Sequence, residues 1–218
     1  LNDYALFMAL KTFFHDQPFR AWPEDIRMHW GFALEHYNRE LYFDIEFQKY
    51  MQFKFNQQWS RLKAYANGKH IQIVGDIPIY VSPDGADVWA HPELFQLDEH
   101  NAPTAIAGCP PDAFAEDGQV WGNPLYNWNF HRGTDFAWWV SRMWYSFKLY
   151  DVVRIDHFRG FESYWAVPAG DKTARNGTWV KGPGIDFIRA VQKALPELDF
   201  IAEDLGFVTP GVRKLLED

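Results

Sequence analysis

Apolar residues recur along this chain with two different periods, and their alternation predicts its architecture. Residues 4–14 are rich in helix formers, and Asn2 or Asp3 can cap them. Trp22 and Pro23 interrupt, and Pro23 can begin the next helix. From about residue 39 to 67 the period is helical again: Phe43, Phe47, Met51, Phe55 and Trp59 recur every four residues, with Tyr50 beside them. That stripe reads as a face packed on a neighbouring element. Asn67 and Gly68 supply the stop, and residues 71–74 read as a buried strand.

Residues 82–130 break both periods. Pro83, Pro92, Pro103, Pro110, Pro111 and Pro124 fall there among glycines and turn residues. Trp89, Phe95, Phe114, Trp121, Tyr126 and Trp128 are embedded in the same stretch, which therefore reads as an ordered, functional insertion. Helical spacing returns with Phe136, Trp139, Val140, Met143 and Phe147, and a strand follows over residues 152–155. A loop from Pro168 to Pro183 precedes a helix over residues 185–195, with Phe187, Ile188, Val191 and Leu195 on one face. Pro196 ends that helix, a strand follows over residues 200–202, and Thr209 with Pro210 starts a last helix. Alternation of this kind predicts an α/β protein with a parallel sheet. Three clear strands are too few to close a barrel. A chain that begins without methionine and stops within a helix reads as a fragment of one larger domain, without internal repeats. Residues 1–68 read as a mainly helical subdomain and residues 71–218 as barrel strands interrupted by the long insertion.

Composition narrows the function. A length of 218 residues at 47% hydrophobic is enough for a sizeable core. A net charge of −8 argues against a nucleic-acid surface and a polybasic membrane contact. No apolar run is long enough to span a membrane, and no signal peptide is evident. Cys109 is the sole cysteine, so no intrachain disulfide can form, and the chain reads as cytoplasmic. The eight histidines lack metal-ligand spacing and no glycine-rich phosphate loop occurs, so neither a metal nor an organic cofactor is expected. The excess is aromatic, at 18% of residues; most of these rings belong to the core, while a minority suits the apolar faces of sugars.

The candidate chemistry lies at strand ends. Residues 71–76, 151–160 and 200–206 share one plan, in which an apolar β-prone run leads to an acidic residue. Carboxylates at the C-terminal ends of parallel strands are how a (β/α)8 barrel builds a site. Asp156 and Glu203 together suggest a pair for glycosidic bond cleavage. Arg154 stands two residues before Asp156, so both side chains project to the same side, and the guanidinium can keep the carboxylate ionised and aimed. An ordinary ion pair explains the same two residues. Glu203 is a candidate general acid; alternatively it is a strand-end glutamate bonded to loop amides. Asp204 should face the other way and serve structurally. Asp76 could touch sugar hydroxyls or hold the following loop.

Longer strings add a resemblance. Gly75-Asp-Ile-Pro-Ile-Tyr-Val81, Pro110-Pro-Asp-Ala-Phe114, Gly118-Gln-Val-Trp-Gly-Asn-Pro-Leu-Tyr126, Val153-Arg-Ile-Asp-His-Phe-Arg-Gly-Phe161 and Ala202-Glu-Asp-Leu-Gly206 occur in order. They closely resemble 4-α-glucanotransferases of the amylomaltase type, glycoside hydrolase family 77. Tyr4-Ala-Leu-Phe-Met-Ala-Leu-Lys11 and Ala86-Asp-Val-Trp-Ala-His-Pro-Glu93 extend the resemblance over essentially the whole chain. It implies a (β/α)8 TIM barrel with helical and loop insertions, present here in part. It implies transfer of α-1,4-glucan segments from a maltooligosaccharide donor to a glucose or maltooligosaccharide acceptor, with no cofactor. Asp156 matches the nucleophile and Glu203 the general acid/base. Arg154 and His157 match groups around the donor glucose, Asp76 the strand-end aspartate and Trp121 a sugar-contacting tryptophan. Asp112 and Phe114 match a loop that partly covers the cleft and shapes acceptor binding. The third family carboxylate, in a His-Asp-Asn segment, and the first barrel strand lie outside the matching strings, so residues 1–218 alone are expected to be inactive. Ala113 stands where some relatives carry an aromatic residue, so the aromatic acceptor contact of those relatives is not expected from that position. An α-amylase-type hydrolase and a non-catalytic glucan-binding fragment are the competing readings.

Overall fold

The computed structural model describes residues 1–197, 200–203 and 209–217. The chain opens with helices α1 (Asn2–Phe13), α2 (Glu24–Arg27), α3 (Gly31–Glu40) and α4 (Tyr42–Asn67). Ala5, Leu6, Phe7, Ala9 and Leu10 give α1 its buried face. No side chain caps α1: Leu1 holds the cap position and Asp3 falls inside the first turn. Pro23 directly precedes α2, as its fixed φ favours. The helix expected over residues 39–67 is divided at Leu41, which is buried between α3 and α4. Most of its stripe stays uncovered among the described residues: Phe43, Phe47, Tyr50, Met51 and Phe55 are all exposed, Phe43 at 85%. Instead Ile45 is buried, and the far end of α4 is held by Trp59 Nε1 donating to Leu149 O at 2.7 Å. Periodicity specifies which residues share a face, not what covers it.

Two sheets follow. Along the chain come β1 (Val74–Pro78), α5 (Ala86–Ala90), β2 (Ala105–Cys109), β3 (Gln119–Pro124), α6 (Trp128–Gly133), α7 (Ala137–Leu149) and β4 (Val152–Asp156). Then come β5 (Ser163–Pro168), β6 (Thr178–Lys181), α8 (Ile185–Ala194), β7 (Phe200–Ala202) and α9 (Pro210–Glu217). The first sheet is parallel in the order β1-β4-β7, with Asp76 opposite Arg154, Pro78 opposite Asp156 and Ile155 opposite Ala202. The second is antiparallel in the order β3-β2-β5-β6.

The first strand begins at Val74 rather than ending there, and Ile71 and Val74 are each 57% exposed. Pairing with β4 sets that start, so Asp76 lies within the strand rather than at its end. The four strands of the second sheet lie in the insertion and in the segment after β4, where no alternation announces them. β2 is built of small residues, and at Gly108 an added Cβ would lie 2.3 Å from Gln119 O on the neighbouring strand.

The core that carries the parallel sheet is aromatic. Phe161 stacks on Phe187 of α8 at 4.1 Å, and Trp139 of α7 meets both rings at 5.1 and 5.4 Å. Phe187, Ile188 and Val191 form the buried face expected of α8. Thr209 Oγ1 accepts a hydrogen bond from Val212 N at 3.3 Å, the cap expected of α9. Asp204 lies outside the described residues. No helix among the described residues is long and apolar enough to cross a membrane.

Candidate active site

β4 ends at Asp156, and the strands on either side bring two more acidic residues to it. From β1, Asp76 receives Arg154 Nη1 on both carboxylate oxygens at 2.7 Å. The same nitrogen donates to Asp156 Oδ1 at 3.2 Å. One guanidinium therefore joins carboxylates of two adjacent strands, and the hydrogen bond to Asp76 raises the pKa of Arg154 further still. Asp76 and Asp156 are half exposed, so a ligand can reach both.

From β7, pairing continues one residue past the strand. Glu203 N donates to Ile155 O at 3.0 Å, and Glu203 O accepts from Phe158 N at 3.0 Å. Glu203 Oε2 accepts from His157 N at 2.8 Å. The bond to a loop amide, weighed from sequence as a structural role, is thus present, and it fixes one carboxylate oxygen next to the Asp156–His157 peptide.

The turn after Asp156 is tightly held. His157 has φ 54°, in the left-handed region, and a 3-10 turn spans Phe158–Phe161. A Cβ at Gly160 would lie 2.7 Å from Ile79 Cδ1, so glycine lets the turn press on the segment leaving β1. The His157 ring meets Trp121 edge-on at 4.9 Å and 89°. Burial, with the positive Arg159 nearby, pushes the His157 pKa down, so the ring is neutral near neutrality.

Asp156, His157 and Trp121 line a cavity of about 170 Å³ together with Pro78, Ile79, Tyr80 and Asn123. Tyr80 is buried, which raises its phenol pKa, and Asn123 Nδ2 donates to Val81 O at 2.8 Å. Sequence reading did not single out Tyr80 and Asn123, although both lie inside the strings that carry the resemblance. Asp112 lies elsewhere: its Oδ1 accepts from Phe114 N at 2.8 Å and Ala115 N at 2.7 Å, and it borders a larger groove that also reaches His157. Phe114 is 99% exposed and lines neither space. The geometry therefore gathers Asp76, Arg154, Asp156, His157, Trp121 and Glu203, and leaves Phe114 in solvent. Among the described residues no group of three or more His, Cys, Asp or Glu side chains is arranged to hold a metal ion.

Known proteins share this arrangement of sequence and fold. The sequence model of the 4-alpha-glucanotransferase family, glycoside hydrolase family 77, matches residues 1–218. A 4-alpha-glucanotransferase of Streptococcus pneumoniae is 51% identical over 218 residues, covering 100% of this chain and 43% of that protein. One of Clostridium butyricum is 48% identical over 210 residues, covering 96% and 43%. Among solved structures, an amylomaltase from Streptococcus agalactiae in complex with acarbose matches with a TM-score of 0.96 at 43% identity, over 99% of this chain and 44% of that one. The chain spans less than half the length of these relatives.

Proposed function

The chain belongs to the 4-alpha-glucanotransferase family, and on that premise we propose that the protein transfers α-1,4-linked glucan segments between maltooligosaccharides by a retaining double displacement. Asp156 attacks the anomeric carbon while Glu203 protonates the glycosidic oxygen, which leaves with the reducing-end fragment. A covalent β-glycosyl enzyme results. Glu203 then takes the proton from the 4-hydroxyl of an acceptor sugar, that oxygen displaces Asp156, and the α-1,4 bond re-forms. Two inversions give net retention, and the two carboxyl groups must come within about 5–5.5 Å for it.

One observation carries this reading. The shared Arg154 bond ties Asp156 to Asp76, while the backbone bonds from β4 bring Glu203 to the same strand end. Arg154 aims the Asp156 carboxylate for attack through its bond to Oδ1. Asp76, His157 and Trp121 hold the donor glucose, whose apolar face suits the indole. Asp112, which borders the larger groove, acts on the acceptor, and Phe114 meets it only when a bound sugar reaches its exposed ring. Within this reading β1, β4 and β7 are neighbouring strands of a (β/α)8 barrel, with residues 1–68 as a helical subdomain and 82–130 as a partial cover of the cleft. The partners are a maltooligosaccharide donor and a glucose or maltooligosaccharide acceptor, met in the cytoplasm.

The test uses the full-length protein and maltotriose. Longer oligosaccharides among the products mean transfer; shorter sugars alone mean hydrolysis. Asp156→Asn should abolish turnover while oligosaccharide binding persists, because the nucleophile is lost and the shape is kept. Normal turnover by that variant would overturn the mechanism.

A further inference from the structure

The larger groove beside the site carries a tryptophan, Trp179, to which the reaction chemistry assigns no role. Its volume is about 730 Å³, within the range of about 300–1,000 Å³ typical of ligand sites. Asp112, His157, Arg159, Trp179 and Lys181 line it. His157 also lines the cavity that holds Asp156, so one side chain borders both spaces.

Trp179, on β6, is 45% exposed and lines the groove. It is nevertheless held. The Arg159 guanidinium lies 4.1 Å from its ring centroid, and Arg159 is only 9% exposed. Trp165 meets the indole edge-on at 5.3 Å and 69°. A nearly buried cation over one face of the ring and an aromatic contact from Trp165 fix the orientation of the indole before any ligand arrives, which lowers the ordering cost of binding. At the rim, Lys181 is paired with Glu162, whose other oxygen accepts from Ser163 Oγ at 2.5 Å. The Lys181 ammonium, with three donors, and the Asp112 carboxylate offer hydrogen bonds around an apolar face. That combination matches a pyranose ring, which presents C–H groups on its faces and hydroxyls around its edge.

We infer that Trp179 is a sugar-stacking residue of the glucan cleft, holding a glucose residue beyond the one that reacts at Asp156, with Arg159 fixing its ring. The inference rests on the glucan-transfer reading, and it adds a length-selecting element to it. A chain long enough to pass His157 gains the stacking contact; a short one does not.

The experiment compares Trp179→Ala and Trp179→Phe in the full-length protein, with maltotriose and maltoheptaose as substrates. Trp179→Ala should raise KM for maltoheptaose about tenfold, with a smaller rise for maltotriose and kcat within about twofold, while Trp179→Phe stays near the parent. Binding of maltoheptaose by calorimetry reads the platform without turnover: Asp156→Asn combined with Trp179→Ala should bind about tenfold more weakly than Asp156→Asn alone. Because the indole is half exposed, its removal leaves no sealed core cavity, and thermal unfolding checks this. Unchanged KM and binding overturn the inference. So does an equal loss of kcat on both substrates with a lowered Tm, which would mark Trp179 as structural. The transfer reading fails separately, if Asp156→Asn keeps its activity.

Discussion

His131 gives the protein a stability that depends on pH. It lies on α6 with its side chain fully buried, against Tyr126 at 5.4 Å, Trp128 at 5.3 Å and Trp138 at 6.1 Å. Its Nε2 is 3.2 Å from Leu94 O, and its Nδ1 has no hydrogen-bond partner among the described residues. The neutral ring can satisfy Leu94 by donating from Nε2; protonation would place a charge and a second N–H among apolar rings. Burial accordingly pulls its pKa down from 6.5 to about 4, against a smaller opposing effect of the bond to Leu94. Above pH 6.5 the ring is neutral in both folded and unfolded chains and contributes nothing to the pH dependence. Between 6.5 and 4 the unfolded chain takes up a proton that the folded one refuses, so stability falls with pH; below 4 both are protonated and the loss is complete. At about 1.4 kcal/mol per pH unit the full loss is about 3 kcal/mol. Urea unfolding of the parent and of His131→Gln, run from about pH 7.5 down to about pH 4, isolates this contribution, because glutamine can still donate to Leu94 O but does not titrate. The parent should lose about 3 kcal/mol more than the variant over that range. Parallel curves would refute the reasoning.

Two further outcomes are expected. Glu203→Gln in the full-length protein should slow transfer from maltotriose by on the order of 10²–10⁴, with partial recovery on a donor whose leaving group needs no protonation; equal loss on both donors would remove Glu203 from the acid role. Gly75→Ala would set a Cβ 2.0 Å from Tyr150 Cδ2, and chemical denaturation should show a cost of about 1–3 kcal/mol. Adding Tyr150→Ala should recover part of that cost, whereas strict additivity would show that the ring is not the obstacle.

The reactive centre is assembled from positions distant in sequence, and the second sheet explains why part of it was hard to foresee. Tyr80 and Asn123 reach the Asp156 cavity because β3 returns toward the segment following β1, where Asn123 Nδ2 bonds Val81 O. Trp179 reaches the adjoining groove because β6 pairs with β5, which opposes Trp165 to Trp179. Neither strand carries the alternation that marks a half-buried strand: β6 is exposed on all four residues, and β3 ends on a proline. Trp179 therefore reads in isolation as an ordinary loop aromatic.

What the sequence determined by itself were the local rules and the chemistry they carry. The apolar run before Asp156 and the helical face of Phe187, Ile188 and Val191 follow from nearest-neighbour periodicity, which backbone geometry converts directly into strand and helix. Arg154 and Asp156, two residues apart on one strand, had to share a side, and they are hydrogen-bonded. The tertiary structure alone decided everything that depends on a partner. It moved the first strand from residues 71–74 to Val74–Pro78, because its start is set by pairing with β4 rather than by β propensity. It left most of the α4 stripe exposed among the described residues, since a helical face has no information about its cover. It attached Arg154 to Asp76 across the sheet and Glu203 to the His157 amide, contacts between residues 78 and 46 apart along the chain. Such contacts form only when strands settle in one register, and register is a property of the packed sheet rather than of any single run of residues.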